Sequence, residues 1–280
     1  MSTVNDADEG TEKYIVPALE RGLRLLGEFG RESRALGAPE LARRLNLPRS
    51  TVFRLLNTLE ALGFIERTES GNDYRLGLAV LRMGFEYLSS LELTELGQPV
   101  LARLNSEIRY AVNLVVRDHR HIVYVAKVSP TTPFASSVHV GTRFPAHATV
   151  LGRLLLEDLT LPDLQALYPE PELEVFSSCT PKTTLDLFNM AQEDRERGYA
   201  LGEGYFEASI STVAAPVRDH SGRIIAAMGA TIPSAHIEAA QLEDLVQRVR
   251  ASAEELSALL NYKPGAAQQK RTAIAGVAGN

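Results

Sequence analysis

Two clusters of side chains carry the donors that molecular recognition needs. In the first, Arg49, Ser50, Thr51, Arg54 and Asn57 share one face if their stretch is helical, and no acid appears on that face until Glu60. A guanidinium can meet the O6 and N7 edge of guanine with two bonds, and a hydroxyl or amide can reach a base edge or a phosphate oxygen. The second cluster is Gly141-Thr142-Arg143-Phe144-Pro145-Ala146-His147-Ala148-Thr149-Val150-Leu151-Gly152-Arg153, a loop feeding a helix. Backbone N–H groups at a helix start favour an anion, and Arg143 would add a bidentate contact to a carboxylate. A small carboxylate ligand fits that inventory. His147 has a second reading, as a hydrogen-bonded structural histidine. Another wall is offered by Ser209, Ser211 and Thr212 ahead of a strand expected to pair with Met228 to Thr231.

Catalytic and metal chemistry find less support. The chain has no GxSxG elbow, HExxH pair, glycine-lysine phosphate loop or GxGxxG after a strand. Its single cysteine, Cys179, excludes an internal disulfide, a multi-thiolate zinc site and a CxxC pair. No catalytic residue, metal or cofactor is therefore expected. Composition is ordinary for a globular protein, with 45% apolar residues and no Trp. No apolar run reaches membrane-spanning length, and the acidic start MSTVNDADEG is unlike a signal peptide. A cytoplasmic location without a membrane partner is expected.

The elements that must hold the first cluster are legible from periodicity. Val52, Leu55, Leu56, Leu59 and Leu62 form one stripe of a helix whose first position suits Pro48. Leu41, Ala42 and Leu45 give a shorter helix before it, and the two make a helix-turn-helix. Phe64 to Arg67, a polar turn and Tyr74 to Leu76 then read as a hairpin, or wing. Such a unit places its second helix in the major groove of double-stranded DNA. Arg54 would face guanine, while Arg21, Arg43, Arg44 and Arg67 would add to the DNA-facing set. A preceding helix over Pro17 to Phe29 would back this unit with Ile15, Ala18, Leu19, Leu23, Leu25 and Leu26. The formal net charge is −6, yet residues 13–82 hold twelve Lys and Arg against eight Asp and Glu. Only the winged segment is basic, which suits local attraction to phosphates.

The expected domains are an acidic tail at 1–12, the winged unit at 13–76, a linker helix at 77–92, a second domain at 93–262 and a tail at 263–280. In the linker, Leu78, Leu81, Phe85 and Leu88 repeat at a/d spacing and would either pair with a second copy or pack on their own domain. The second domain reads as a helix to Ile108, strands at Val112–Val116, Ile122–Val128 and Phe134–Val140, helices at Pro162–Tyr168 and Thr184–Arg197, strands at Tyr199–Glu203, Thr212–Arg218 and Arg223–Ile232, and a closing amphipathic helix. Val116-Arg117-Asp118-His119 and Val217-Arg218-Asp219-His220 look like the turns of two similar meanders in one antiparallel sheet. The fold class expected is α+β.

The segments LERGLRLLGEFG, LARRLNLPRSTVFRLLNTLEALGFIER, GTRFPAHATVLGRLLL and RGYALGEGYFEASISTVAAPVRD resemble those of IclR-type bacterial transcriptional regulators. The GTR-x-PAHAT form is similar to the branch that controls aromatic-acid catabolism. The resemblance implies a winged DNA-binding domain, a dimerising linker helix and a GAF-like domain that binds a small organic acid. It further implies a homodimer, with dimers that can pair, acting on a DNA operator. The family's effector pocket would here be lined by Phe134, Ser136, His147, Thr149, Val150, Leu151, Ile210, Thr212, Gly229 and Thr231. Many members carry Ser or Cys where this chain has Thr212, glycine at Ser209, and serines at Gly229 and Thr231. Two rivals stand beside this reading. One is an enzyme with a DNA-binding appendage, using His147 and a nearby acid; the other is a DNA-binding protein whose second domain only oligomerises.

Overall fold

The computed structural model describes residues 15–30, 33–69, 71–90, 92–130 and 138–263, without the side chains of 85–90. It divides into two units, residues 1–90 and 91–280. In the first unit, helices α1 (Pro17–Gly27), α2 (Ala38–Leu45) and α3 (Arg49–Ala61) precede a hairpin and a further helix, α4 (Leu78–Ser90). Asn46 adopts the left-handed conformation, φ 51°, which ends α2 and lets the Leu47 N–H donate back to the Ala42 carbonyl at 3.0 Å. Pro48 stands one place before α3 rather than at its first position, and its carbonyl accepts from Thr51 and Val52 at 3.0 and 3.1 Å. The turn is thus closed by backbone bonds. Leu25, Leu41, Val52, Leu56 and Ile65 fill the core at no more than 1% exposure, each contributing ~1.5–3 kcal/mol.

Two expectations about apolar faces fail here. Leu62 lies beyond the end of α3 and is exposed, so the buried stripe stops at the half-buried Leu59. On α1, Ile15, Ala18, Leu19 and Leu23 are exposed and only Leu25 with the half-buried Leu26 joins the core. Periodicity placed apolar residues on both sides of α1, but α2 and α3 cover one side only. The wing is β2 (Ile65–Arg67) and β3 (Asp73–Leu76), paired Ile65 to Leu76 and Arg67 to Tyr74. A strand not expected from the sequence, β1 (Leu36–Gly37), pairs with the other edge of β3.

The second unit opens with α5 (Glu92–Ile108), then β4 (Ala111–Asp118), β5 (His121–Val128) and β6 (Arg143–Pro145). A single 3₁₀ turn, Ala146–Ala148, leads into α6 (Val150–Leu156), followed by α7 (Leu161–Leu167) and α8 (Thr184–Arg197). β7 (Ala200–Glu203), β8 (Ser211–Arg218), β9 (Ile224–Ile232) and α9 (Ala239–Leu259) complete the described fold. The sheet is antiparallel in the order β6-β5-β4-β9-β8-β7, so two meanders meet at the β4–β9 pair. Strand alternation sends Val112, Leu114, Val213 and Met228 to the face covered by α5 and α9, and Val115, Ala214 and Ala227 to the face covered by α6. Of the expected strand Phe134–Val140, residues 134–137 lie outside the described residues, while Val138 and His139 are not in a strand and Val140 enters a turn. Gly141 at φ +86° reverses the chain there, and Arg143–Pro145 joins the edge instead.

Candidate functional site

The face of the sheet under the start of α6 is not fully filled. A cavity of about 250 Å³ opens there, with Asn113 on β4, Thr231 on β9 and Thr212 on β8 as its polar floor. Thr212 and Thr231 are register partners, and the Asn113 amide donates to Thr231 Oγ1 at 2.9 Å. The Asn113 side-chain oxygen, Oδ1, is buried and has no hydrogen-bond partner. Thr149, Val150 and Leu151 form the opposite wall. The rim is aromatic: Tyr124 meets Phe144 edge-on at 6.0 Å between centroids, and Phe144 meets Phe206 at 5.0 Å. Ile210, Val138, Gly202, Tyr205 and Glu207 complete the lining. Among the described lining residues there is no Lys, Arg or His. The chemistry offered is hydrogen bonding by uncharged groups inside an aromatic and aliphatic shell, with the carboxylate of the exposed Glu207 at its edge.

Two glycines set how closely the α6 region sits on the sheet. A Cβ on Gly152 would lie 2.1 Å from the Ala146 carbonyl oxygen, so only glycine lets the 3₁₀ turn fold back on α6. A Cβ on Gly229 would lie 2.9 Å from Leu151 Cδ2 and 3.1 Å from Val213 O. A serine at Gly229 would therefore push Leu151. Thr149 caps α6 by accepting from the Gly152 N–H at 3.1 Å.

The sequence-predicted site residues divide accordingly. Thr149, Val150, Leu151, Ile210, Thr212 and Thr231 line the cavity. Gly229 is in the floor strand but is covered by Leu151 and does not line it. Phe134 and Ser136 lie outside the described residues. Arg143 is corrected: it is surface-exposed and its guanidinium pairs with Asp118 at 2.8 Å, because β6 sets it beside the end of β4 and β5 rather than over the floor. His147 is corrected as well. It is buried behind the wall, donating from Nε2 to the Glu174 carbonyl at 2.9 Å, and it packs on Tyr168 and Phe176. Burial holds its pKa below the ordinary histidine range, so the ring is neutral near pH 7. Ser209 bonds Glu207 in an exposed loop and Ser211 is spent on the Ser234 carbonyl at 2.7 Å, so neither faces the cavity. Sequence reasoning missed Asn113, Tyr124, Phe144, Tyr205 and Phe206. The signal for Asn113 was an amide inside the apolar strand AVNLVV.

Behind the wall lies a buried ion pair. Arg153 on α6 is 2% exposed and Asp194 on α8 is 0% exposed, and the guanidinium binds both carboxylate oxygens. It also donates to the Leu201 carbonyl at 3.1 Å and stacks over Tyr205 at 4.8 Å. Tyr205 in turn donates to the His147 carbonyl at 3.2 Å. The pair thus holds α6, α8 and the aromatic rim together.

In the first unit, α3 presents Arg49, Ser50, Arg54 and Asn57 exposed, with Thr51 half-buried. Arg21, Arg49 and Arg54 form no ion pair among the described residues, whereas three other predicted cations are already engaged. Glu40 accepts from Arg43 at 2.7 and 2.9 Å and from Arg44 at 2.8 Å, and these bonds hold its carboxyl down at about 2. Arg67 pairs with Glu60 at 3.0 Å and lies over Tyr74.

Two family descriptions match this chain. "Bacterial transcriptional regulator IclR C-terminal" covers residues 85–258, and "IclR helix-turn-helix domain" covers residues 18–69. The chain belongs to the IclR family. This IclR regulator is 30% identical over 230 residues to the Pca regulon regulatory protein of Pseudomonas putida, covering 82% of this chain and 78% of that protein. It is 27% identical over 248 residues to the HTH-type transcriptional regulator XynR of Escherichia coli K12, covering 89% and 98%. An IclR homolog of Microbacterium hydrocarbonoxydans, solved as a complex with 4-hydroxybenzoate, superposes with a TM-score of 0.76 at 25% identity, covering 87% of this chain and 98% of that one. The protein is accordingly a transcriptional regulator with an N-terminal DNA-binding helix-turn-helix and a C-terminal effector-binding domain, and its relatives are regulators rather than enzymes. No described helix of this IclR chain is long and apolar enough to cross a membrane.

Proposed function

We propose that this IclR regulator controls a catabolic operon in response to a small aromatic carboxylic acid held in the cavity under α6. The observation that carries this reading is the cavity itself. At about 250 Å³ it is smaller than the ~300–1,000 Å³ of sites for drug-sized ligands. Phe144 and Phe206 offer ring contacts, Leu151 and Ile210 cover an aromatic body, and Asn113, Thr212 and Thr231 offer hydrogen bonds to its oxygens. Two relatives support the ligand class, the Pca regulon regulatory protein and the homolog bound to 4-hydroxybenzoate.

On DNA, the reading assigns base contacts to Arg54 with Ser50, Thr51 and Asn57, and phosphate contacts to Arg21, Arg43, Arg44, Arg49 and Arg67. Residues 13–76 act as the operator-binding domain, 77–92 as the linker helix and 93–262 as the effector domain. The exposed Leu78 and Leu81 of α4 support pairing of linkers in a homodimer. Ligand then shifts the dimer between two placements of its wings. A thermal-shift screen with benzoate, 4-hydroxybenzoate, protocatechuate and acetate tests the ligand class, with Thr212→Val and Thr231→Val in parallel. A ligand at 100 times its Kd should stabilise by about 2.7 kcal/mol, and both variants should lose that gain. No shift with any aromatic acid refutes the ligand class. A ligand that binds but leaves operator affinity and footprint unchanged refutes the switch.

A further inference from the structure

A second cavity, of about 310 Å³, lies at the other end of α6. The first cavity touches Thr149 to Leu151, whereas the second is walled by Glu157, the residue that follows the last turn of the helix. The two are separated by about 10 Å of helix. Three arginines border the second cavity: Arg195 near the end of α8, Arg218 at the end of β8 and Arg250 on α9. Arg218 is occupied by the Glu157 carboxyl at 3.0 Å and the Gly222 carbonyl at 2.9 Å. Arg195 has no ion pair among the described residues, and Arg250 has only a 3.7 Å contact with the exposed Glu254. Arg195 therefore borders the cavity without an ion pair among the described residues, and Arg250 borders it with only a long one to Glu254, which also lines the cavity.

The wall between them is also incomplete. Glu157 is 2% exposed, and while its Oε1 accepts from Arg218, its Oε2 is buried with no partner. Burial pushes this carboxyl up to about 7, so near neutral pH it is only partly ionised, and its buried Oε2 is left unsatisfied. The guanidiniums of Arg195 and Arg250 call for an anionic acceptor. The rest of the wall is small and mostly apolar, with Ala215, Pro216, Ala253, Ala258 and the ring of Tyr262 beside Ser257 and the exposed Glu254. That surface suits a hydrocarbon body better than a bare inorganic ion.

We propose that this cavity binds a second small organic anion, its anionic group between Arg195 and Arg250 and its apolar part against Ala215, Ala253 and Tyr262. Its position at the end of α6 opposite the first cavity makes it a separate site on the same helix. The site does not depend on which ligand occupies the first cavity.

Crystals of the full chain soaked in saturating 4-bromobenzoate, with a phosphate soak alongside, test it. The expected result is anomalous bromine density beside Tyr262 with the carboxylate on Arg195 and Arg250. Arg195→Ala/Arg250→Ala should abolish that density while leaving any density under Leu151. In solution, titration of 4-bromobenzoate should lose one binding step in the double variant, with affinity there falling at least tenfold. No bromine at the second cavity overturns the proposal, as does equal occupancy in the double variant. Phosphate that binds there while 4-bromobenzoate does not overturns the organic class. Loss of the first-cavity density alone would instead count against the aromatic-acid reading and leave this one standing.

Discussion

Replacing Asp194 by Ala should be among the most damaging single changes in the effector domain. Arg153 is 2% exposed, and with Asp194 gone its guanidinium keeps only the Leu201 carbonyl and the face of Tyr205. Breaking one side of a buried pair leaves an uncompensated charge and costs ~3–5 kcal/mol. The second partner of Asp194, Arg197, is 42% exposed and returns to water, so it adds little. For a unit of this size each 1 kcal/mol moves Tm by about 2–4 °C, giving an expected fall of roughly 6–20 °C. Urea unfolding of the full chain, following the effector-domain transition, reads the loss directly. Arg153→Met/Asp194→Leu removes both charges and should recover most of it, because a buried pair is often no better than a packed apolar one. A loss under ~1 kcal/mol for Asp194→Ala, or a double variant as unstable as the single, refutes the assignment of the pair as the clamp between α6 and α8.

Three further outcomes are expected. Arg54→Ala should weaken operator binding by about 1–3 kcal/mol and relax selectivity at one base pair; equal weakening on random DNA would make Arg54 a phosphate contact. Glu40→Gln frees Arg43 and loosens Arg44, which keeps Ser33 and a 3.6 Å contact with Glu28, so binding to random DNA should tighten and the log–log salt slope steepen by ~1; an unchanged slope would put those arginines away from phosphates. Glu157→Gln should flatten the pH dependence of stability. The folded carboxyl titrates near 7 and the unfolded near 4.5, with Arg218, Arg195, Asp158, Asp194, Arg250 and Glu254 around it. A raised acid pKa means stability is full below the unfolded value, declines as pH rises to the folded one and is level above, a loss of roughly 3 kcal/mol. Chemical denaturation at pH 4.5 and pH 8 should find the variant relatively more stable at the higher pH, and parallel curves would refute this.

Local chemistry made the helix-turn-helix, the wing and both meanders legible. The left-handed Asn46 and Gly71 mark turns that no distant contact is needed to form. Faces were harder: Leu19, Leu23 and Leu62 are apolar and periodic, yet which side of a helix is covered depends on neighbours that periodicity does not name. Long-range partners were hidden. Arg143 was read as a ligand contact because nothing in its own segment points to Asp118, which only the β5–β6 pairing brings near. The Arg153–Asp194 pair spans 41 residues, although an arginine inside the run VLGRLLL signals that a buried partner must exist. The aromatic rim was missed for a different reason, since Phe144 and Phe206 come from edge and loop segments without a period.

The floor of the cavity is split between two meanders. Asn113 belongs to the first and Thr231, 118 residues later, to the second. Each hairpin can form from neighbours in sequence, but the β4–β9 seam requires closing a long loop, a step that slows folding. The pocket therefore does not exist until that seam has closed. A ligand that meets both strands has nothing to grip earlier, so it should retard unfolding much more than it accelerates refolding. The regulator would then persist longer in a cell supplied with its effector, adding a lifetime response to its response in DNA binding.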